Sequence, residues 1–276
     1  MTITCLFENE TSRSDCTPGH GLSLLIEWEG PTVLFDTGDG PAAVENARIL
    51  GKDLSKADIA VLSHGHHDHG GGIPEFLKTN DTAPVYAHAL AFAPTLKKME
   101  NGTFYDLRAM SGSVPKNRLK PVSDSMRIAD SVHILCGFRK DGFVPYGNRT
   151  LFWRNPKTGE PEPDPFLHEI ALVLSTGGSD ILITGCSHSG IGNMIRSAQT
   201  AGFSPKTVIG GFHLSRTGKP QSLDPETDAL IGELQSFDVE TYFTGHCTGR
   251  PGLDRLYKAF GDKIKKFSTG DVMHID

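Results

Sequence analysis

The chain has 276 residues, 37% of them hydrophobic and 22% charged, with a formal net charge of -6. That balance describes a globular protein with enough apolar material for a sizeable core, and no apolar run approaches the ~20 residues that cross a bilayer. The strongest basic grouping, Lys263, Lys265 and Lys266, is too small to neutralise a phosphate backbone, which disfavours a nucleic-acid partner.

In chain order, strand-like runs at Thr2–Phe7, Leu22–Trp28 and Thr32–Phe35 precede a helix predicted near Pro41–Leu50 and a strand at Ile59–Leu62. A helix is expected from Pro74, a strand at Val85–Ala87 and a helix over His88–Lys98. Roughly residues 101–165 are rich in Gly, Pro, Ser and Asn and read as an irregular insertion, either a lid over a site or a surface connection. Alternation then returns: strands at Ile170–Ser175 and Ile181–Thr184, a helix at Ile191–Ala201, a strand at Thr207–Ile209, a helix at Pro225–Ser236, a strand at Thr241–Thr244, then a last helix and a strand at Ile264–Phe267. Two such halves fit an α/β architecture, an αββα four-layer sandwich, formed by residues 1–276 as a single domain. Met1–Phe7 lacks the basic start and long apolar core of an export signal. The five cysteines are odd in number and hold no Cys-x-x-Cys pair, which points to a reducing cytoplasm without a disulfide framework.

The most concentrated chemistry lies in His64, Gly65, His66, His67, Asp68 and His69, directly after the apolar run Ile59–Leu62 and before Gly70, Gly71 and Gly72. Imidazole nitrogens suit zinc, iron or manganese, and an added carboxylate oxygen helps to hold a second divalent ion. On an extended or tightly turned backbone, alternate residues share a face. His64 and His66 therefore point together, His67 points away, and Asp68 and His69 swing to a second position. A His-rich surface loop would lack both the interleaved Asp and the buried strand ahead of it.

His-x-His-x-Asp-His after a hydrophobic strand resembles the defining motif of the metallo-β-lactamase superfamily, and Thr32–Gly38 resembles its first motif. The resemblance implies that Asp36 supports the metal loop. It also directs attention to three later strand ends that run into Gly-containing turns and deliver His188, His213 and His246. The simplest allocation gives His64, His66 and His188 to one ion and Asp68, His69 and His246 to the other, with a bridging water. Many relatives carry a bridging Asp where this chain has Cys186, and a metal His near the place of His168, which His188 is expected to replace. His20-Gly-Leu-Ser23, Phe35–Gly38, Ser63–Gly72, Gly185–Ile191, Gly210–Leu214 and Thr244–Gly249 are similar to the branch that contains a pterin-related synthase and many metal-dependent hydrolases.

These readings imply a metal-dependent hydrolase with two divalent ions, zinc foremost and manganese or iron as alternatives, that activates water against a phosphate-bearing small molecule. A pterin-related synthase is the narrower form of the same expectation. Asp68 belongs to the reacting site, His213 is a candidate proton donor or anion ligand, and His20 lies in a loop able to reach the cleft. Two other classes fit the same ligands: an iron-dependent redox enzyme, kept open by Cys186 and Cys247, and a metal-stabilised ligand-binding protein without turnover.

Overall fold

Short, almost wholly apolar runs become strands buried on both faces, as parallel pairing demands, and the polar residues that follow them collect at the strand ends. The computed structural model describes residues 1–109, 114–215 and 225–275. The chain forms two compact units, the first comprising Met1–Ser123, Phe152–Pro163 and the chain from Phe267 onward, the second Asp124–Leu151 and Asp164–Lys266.

The first unit carries a seven-stranded sheet in the order Val272–His274, Thr2–Phe7, Ser23–Glu27, Val33–Phe35, Ile59–Leu62, Val85–His88 and Leu119–Val122. Its first four strands pair antiparallel and its last four, sharing Val33–Phe35, pair parallel. Leu25, Leu34, Ala60 and Val85 are successive cross-strand partners, so they form one apolar row. Ala43, Val44 and Ala47 from helix Ala42–Ile49, with Ile73 and Phe76 from helix Ile73–Thr79, belong to the same buried cluster. A smaller sheet orders Pro161–Pro163, Leu151–Arg154, Thr95–Lys98 and Phe104–Asp106.

The second unit has the same division into parallel and antiparallel halves. Its order is Ile264–Lys266, Thr241–Thr244, Pro205–Gly210, Asp180–Ile183, Ile170–Ser175, Val132–Cys136 and Met126–Ala129. The first four are parallel and the remaining pairings antiparallel. Val173, Leu182, Val208, Tyr242 and Ile264 line up across five strands in one buried row. Helix Ile191–Thr200 adds Ile191, Met194, Ile195 and Ala198 to that cluster, the i, i+3, i+4, i+7 spacing of a single helical stripe.

Two expectations are corrected. His88–Lys98 is not a helix: the strand Val85–His88 runs through its start, and after a turn Thr95–Lys98 forms another strand. Pro94 lacks the N–H that a helix interior needs, and the His88 carbonyl and ring nitrogen accept from Ala91 and Leu90 to close a local turn instead. The stretch 101–165 is also more regular than its composition suggests, for among its described residues it holds strands Phe104–Asp106, Leu119–Val122, Met126–Ala129, Val132–Cys136, Leu151–Arg154 and Pro161–Pro163. Residues 110–113 of that stretch lie outside the described residues. Among the described residues no helix is long and apolar enough to cross a membrane.

Candidate metal centre

In the first unit, Val33–Phe35 and Ile59–Leu62 are parallel neighbours, and their C-terminal ends bring Asp36 beside Ser63. Asp36 is fully buried with φ +57, and its carboxylate is surrounded by donors. One oxygen accepts from the Ser63 backbone N–H at 2.7 Å; the other accepts from Ser63 Oγ at 2.7 Å and lies 2.6 Å from His69 Nδ1. With its Nδ1 proton given to that carboxylate, His69 presents Nε2 as the lone-pair nitrogen. Ser63 Oγ also lies 2.9 Å from His64 Nδ1, which leaves His64 Nε2 for a ligand role.

The remaining nitrogens and oxygen have the spacing of co-ligands. His64 Nε2 is 3.1 Å from His66 Nδ1, and His69 Nε2 is 3.7 Å from Asp68 Oδ2. Ligand atoms about 2.0–2.1 Å from a tetrahedral zinc are separated by roughly 3.3 Å, a value these two distances bracket. All four side chains are buried. The donor set therefore fits divalent metal, with Asp36 and Ser63 holding the rings from behind. His67 turns elsewhere: it is partly exposed, and its Nδ1 lies 3.4 Å from Asp39 Oδ2. His20 is exposed, with Nε2 3.3 Å from Asp68 Oδ2. Its loop is pressed against Asp68, whose carbonyl accepts from Leu22 N at 3.2 Å.

In the second unit, three consecutive parallel strands, Asp180–Ile183, Pro205–Gly210 and Thr241–Thr244, end in the turns that carry His188, His213 and His246. His188 is fully buried. Its Nδ1 is 3.0 Å from Asn148 Oδ1, and Asn148 Nδ2 donates to the His188 carbonyl at 2.7 Å, so Asn148 fixes the ring tautomer with Nε2 as acceptor. Phe166 stacks on the ring at 4.5 Å and 7°. Behind it, Glu169 Oε1 accepts from His188 N and Oε2 from Ser189 N, each at 2.7 Å. Burial pushes the Glu169 carboxyl up from its ordinary pKa, and those two backbone N–H bonds pull against the rise. The His213 ring lies 4.2 Å from that of His188, and one of its nitrogens falls within 4.8 Å of both Cys186 and Cys247 sulfurs. His168 is engaged with Asp164, Nε2 to Oδ2 at 3.0 Å.

Asp36, Phe166, Ser187, His213 and His246 are the non-glycine residues with positive φ among the described residues. Each is one of the side chains just described or adjoins one, and such strained backbone concentrates where a site must aim its groups. The sequence gives no role to Ser63, Asn148 or Phe166. Ser63 carries a signal, a hydroxyl directly before the His cluster, whereas Asn148 lies 40 residues from its partner and has none.

The sequence pattern described as the metallo-beta-lactamase superfamily matches residues 16–246. The chain belongs to the metallo-β-lactamase superfamily, and the α/β fold class expected from the sequence is its fold. It is similar to 7,8-dihydropterin-6-methyl-4-(beta-D-ribofuranosyl)-aminobenzene-5'-phosphate synthase from Methanocaldococcus jannaschii, at 27% identity over 92% of this chain and 89% of the synthase. An uncharacterized protein of the same organism is 29% identical over 92% of this chain and 91% of its own. Among solved structures, Tm1679, a metal-dependent hydrolase of the β-lactamase superfamily, aligns with a TM-score of 0.83 and 28% identity, covering 100% of this chain and 99% of that one.

Proposed function

We propose that the chain is a metal-dependent hydrolase with a dinuclear centre, in which His64, His66 and His188 hold one ion and Asp68, His69 and His246 the other, and that it cleaves a phosphate-bearing small molecule. The observation that carries the reading is the Asp36–Ser63 cradle, which holds the Nδ1 atoms of His69 and His64 and sets their Nε2 atoms beside Asp68 and His66. When bound, a pair of divalent ions supplies Lewis acidity and brings the pKa of water towards ~7. Asp68, whose Oδ2 faces both His69 and His20, orients the attacking water. His213, at the middle strand end, faces the anionic part of the substrate or the leaving group. Asn148 and Glu169 keep His188 in one tautomer and one backbone position.

Zinc is the favoured ion, because imidazole and carboxylate donors with open positions suit it. The named relative supports a phosphate-bearing substrate and, in its narrower form, a pterin-related synthase reaction. Five cysteines without a disulfide support a cytoplasmic enzyme.

The test is elemental analysis of protein reconstituted with zinc or manganese, followed by a panel of phosphomonoesters and phosphodiesters. At least two ions per chain and metal-dependent turnover are expected; Asp68→Ala/His69→Ala loses the turnover and at least one of the ions. Unchanged metal content in that variant overturns the ligand assignment, and inactivity of the metal-loaded protein across the panel overturns the hydrolase reading.

A further inference from the structure

The parallel register of Asp180–Ile183, Pro205–Gly210 and Thr241–Thr244 places three turns side by side, and each contributes a soft or borderline donor: Cys186, His213 and Cys247. The two sulfurs and one imidazole nitrogen all lie within 4.8 Å of one another. A tetrahedral zinc with sulfur at about 2.3 Å and nitrogen at about 2.0 Å sets its ligands roughly 3.5–3.8 Å apart, so small side-chain rotations close the set. Both cysteines are buried, at 3% and 4% exposure, and His213 Nδ1 is buried with no hydrogen-bond partner among the described residues. A buried ring nitrogen without a hydrogen bond is costly unless a ligand completes it.

The surroundings hold this arrangement in place. Gly211 has no side chain where a Cβ would come 2.4 Å from Cys247 Sγ, so the sulfur lies directly over its backbone. Gly211 N donates to Gly185 O at 2.8 Å, joining the first turn to the second, and Phe212 N donates to Thr248 Oγ1 at 3.0 Å, joining the second to the third. His213 itself is held at φ +48. A ring nitrogen distinct from Nδ1 remains: Nε2 lies towards Gly147, where an added Cβ would approach it to 3.0 Å, so metal on the other nitrogen leaves Nε2–H as a donor.

We propose that Cys186, His213 and Cys247 form a separate binding site for a thiophilic cation such as zinc, which ties together the three turns bearing His188, His213 and His246. Two thiolates and an imidazole select soft or borderline ions over magnesium or calcium. The site draws every ligand from the second unit.

Cobalt(II) loading under a non-thiol reductant tests it. The expected result is a near-ultraviolet thiolate-to-cobalt charge-transfer band in the wild type, lost in Cys247→Ser and weakened in His213→Gln, with one fewer cobalt per chain in Cys247→Ser. The band persists in Asp68→Ala/His69→Ala, which separates this site from the dinuclear centre. Circular dichroism confirms folding of each variant, and X-ray absorption on the zinc-loaded wild type counts sulfur neighbours directly. A wild type without the band or without sulfur around zinc, or a folded Cys247→Ser protein with the full band, overturns the proposal. So does loss of the band in Asp68→Ala/His69→Ala, which assigns Cys186 to the other centre.

Discussion

Asp36 Oδ2 lies 2.6 Å from His69 Nδ1, with both side chains fully buried. The same carboxylate receives two bonds from Ser63, so its acceptor capacity is directed at the residues on either side of the metal loop. A carboxylate behind a ligating imidazole fixes the ring and raises its basicity, so under the proposed ligand assignment Asp36 is a positioning residue.

Replacing Asp36 by Asn preserves shape while removing the charge and forcing an amide group towards two donors. Metal affinity is expected to fall about 10–100-fold, the usual consequence of losing such a partner. Competition with a chromophoric chelator measures it. Wild-type affinity in a folded Asp36→Asn protein would remove Asp36 from the support of the site.

The Glu169 carboxylate sits beneath His188 in the same sense, but it holds backbone. Glu169→Ala leaves the N–H groups of His188 and Ser189 buried and unpaired, each costing roughly 1–3 kcal/mol, so a loss of about 2–6 kcal/mol is expected in urea denaturation. Glu169→Gln retains one acceptor oxygen and is expected to lie between. Equal stability of all three proteins would show that water takes over those two donors.

Much of this was readable from local pattern. Apolar runs such as Ile59–Leu62 and Thr241–Thr244 announce strands buried on both faces, and a polar, Gly-containing turn directly after each marks where a parallel strand delivers the candidate ligands. The His64–His69 cluster is legible because its donors are adjacent in sequence. What escaped depends on distant partners. Asn148 serves His188 across 40 residues, and Val272–His274 is a strand only because Thr2–Thr4 pairs with it. The Gly, Pro and Asn content of 101–165 marked its turns correctly but concealed the short strands between them, whose three to five residues are too few to show a period.

Gly21 offers the sharpest test of how the first unit positions Asp68. It occupies φ +150, a conformation L side chains rarely adopt, and a Cβ there would come 2.3 Å from the Asp68 carbonyl oxygen. The same carbonyl accepts from Leu22 N, so the peptide of Asp68 and the 20–22 loop are locked together. Gly21→Ala must therefore strain the loop or push Asp68 away. The expected cost is about 1–3 kcal/mol from the backbone conformation alone, read as a lowered melting temperature without metal. Displacement of Asp68 adds a second effect, weaker binding of metal, detected in the same chelator competition. The two readings separate strain from misplacement: a drop in stability with wild-type metal affinity means the loop yields, whereas a drop in both means Asp68 moves. A protein unchanged in both respects would show that the loop does not brace Asp68 at all.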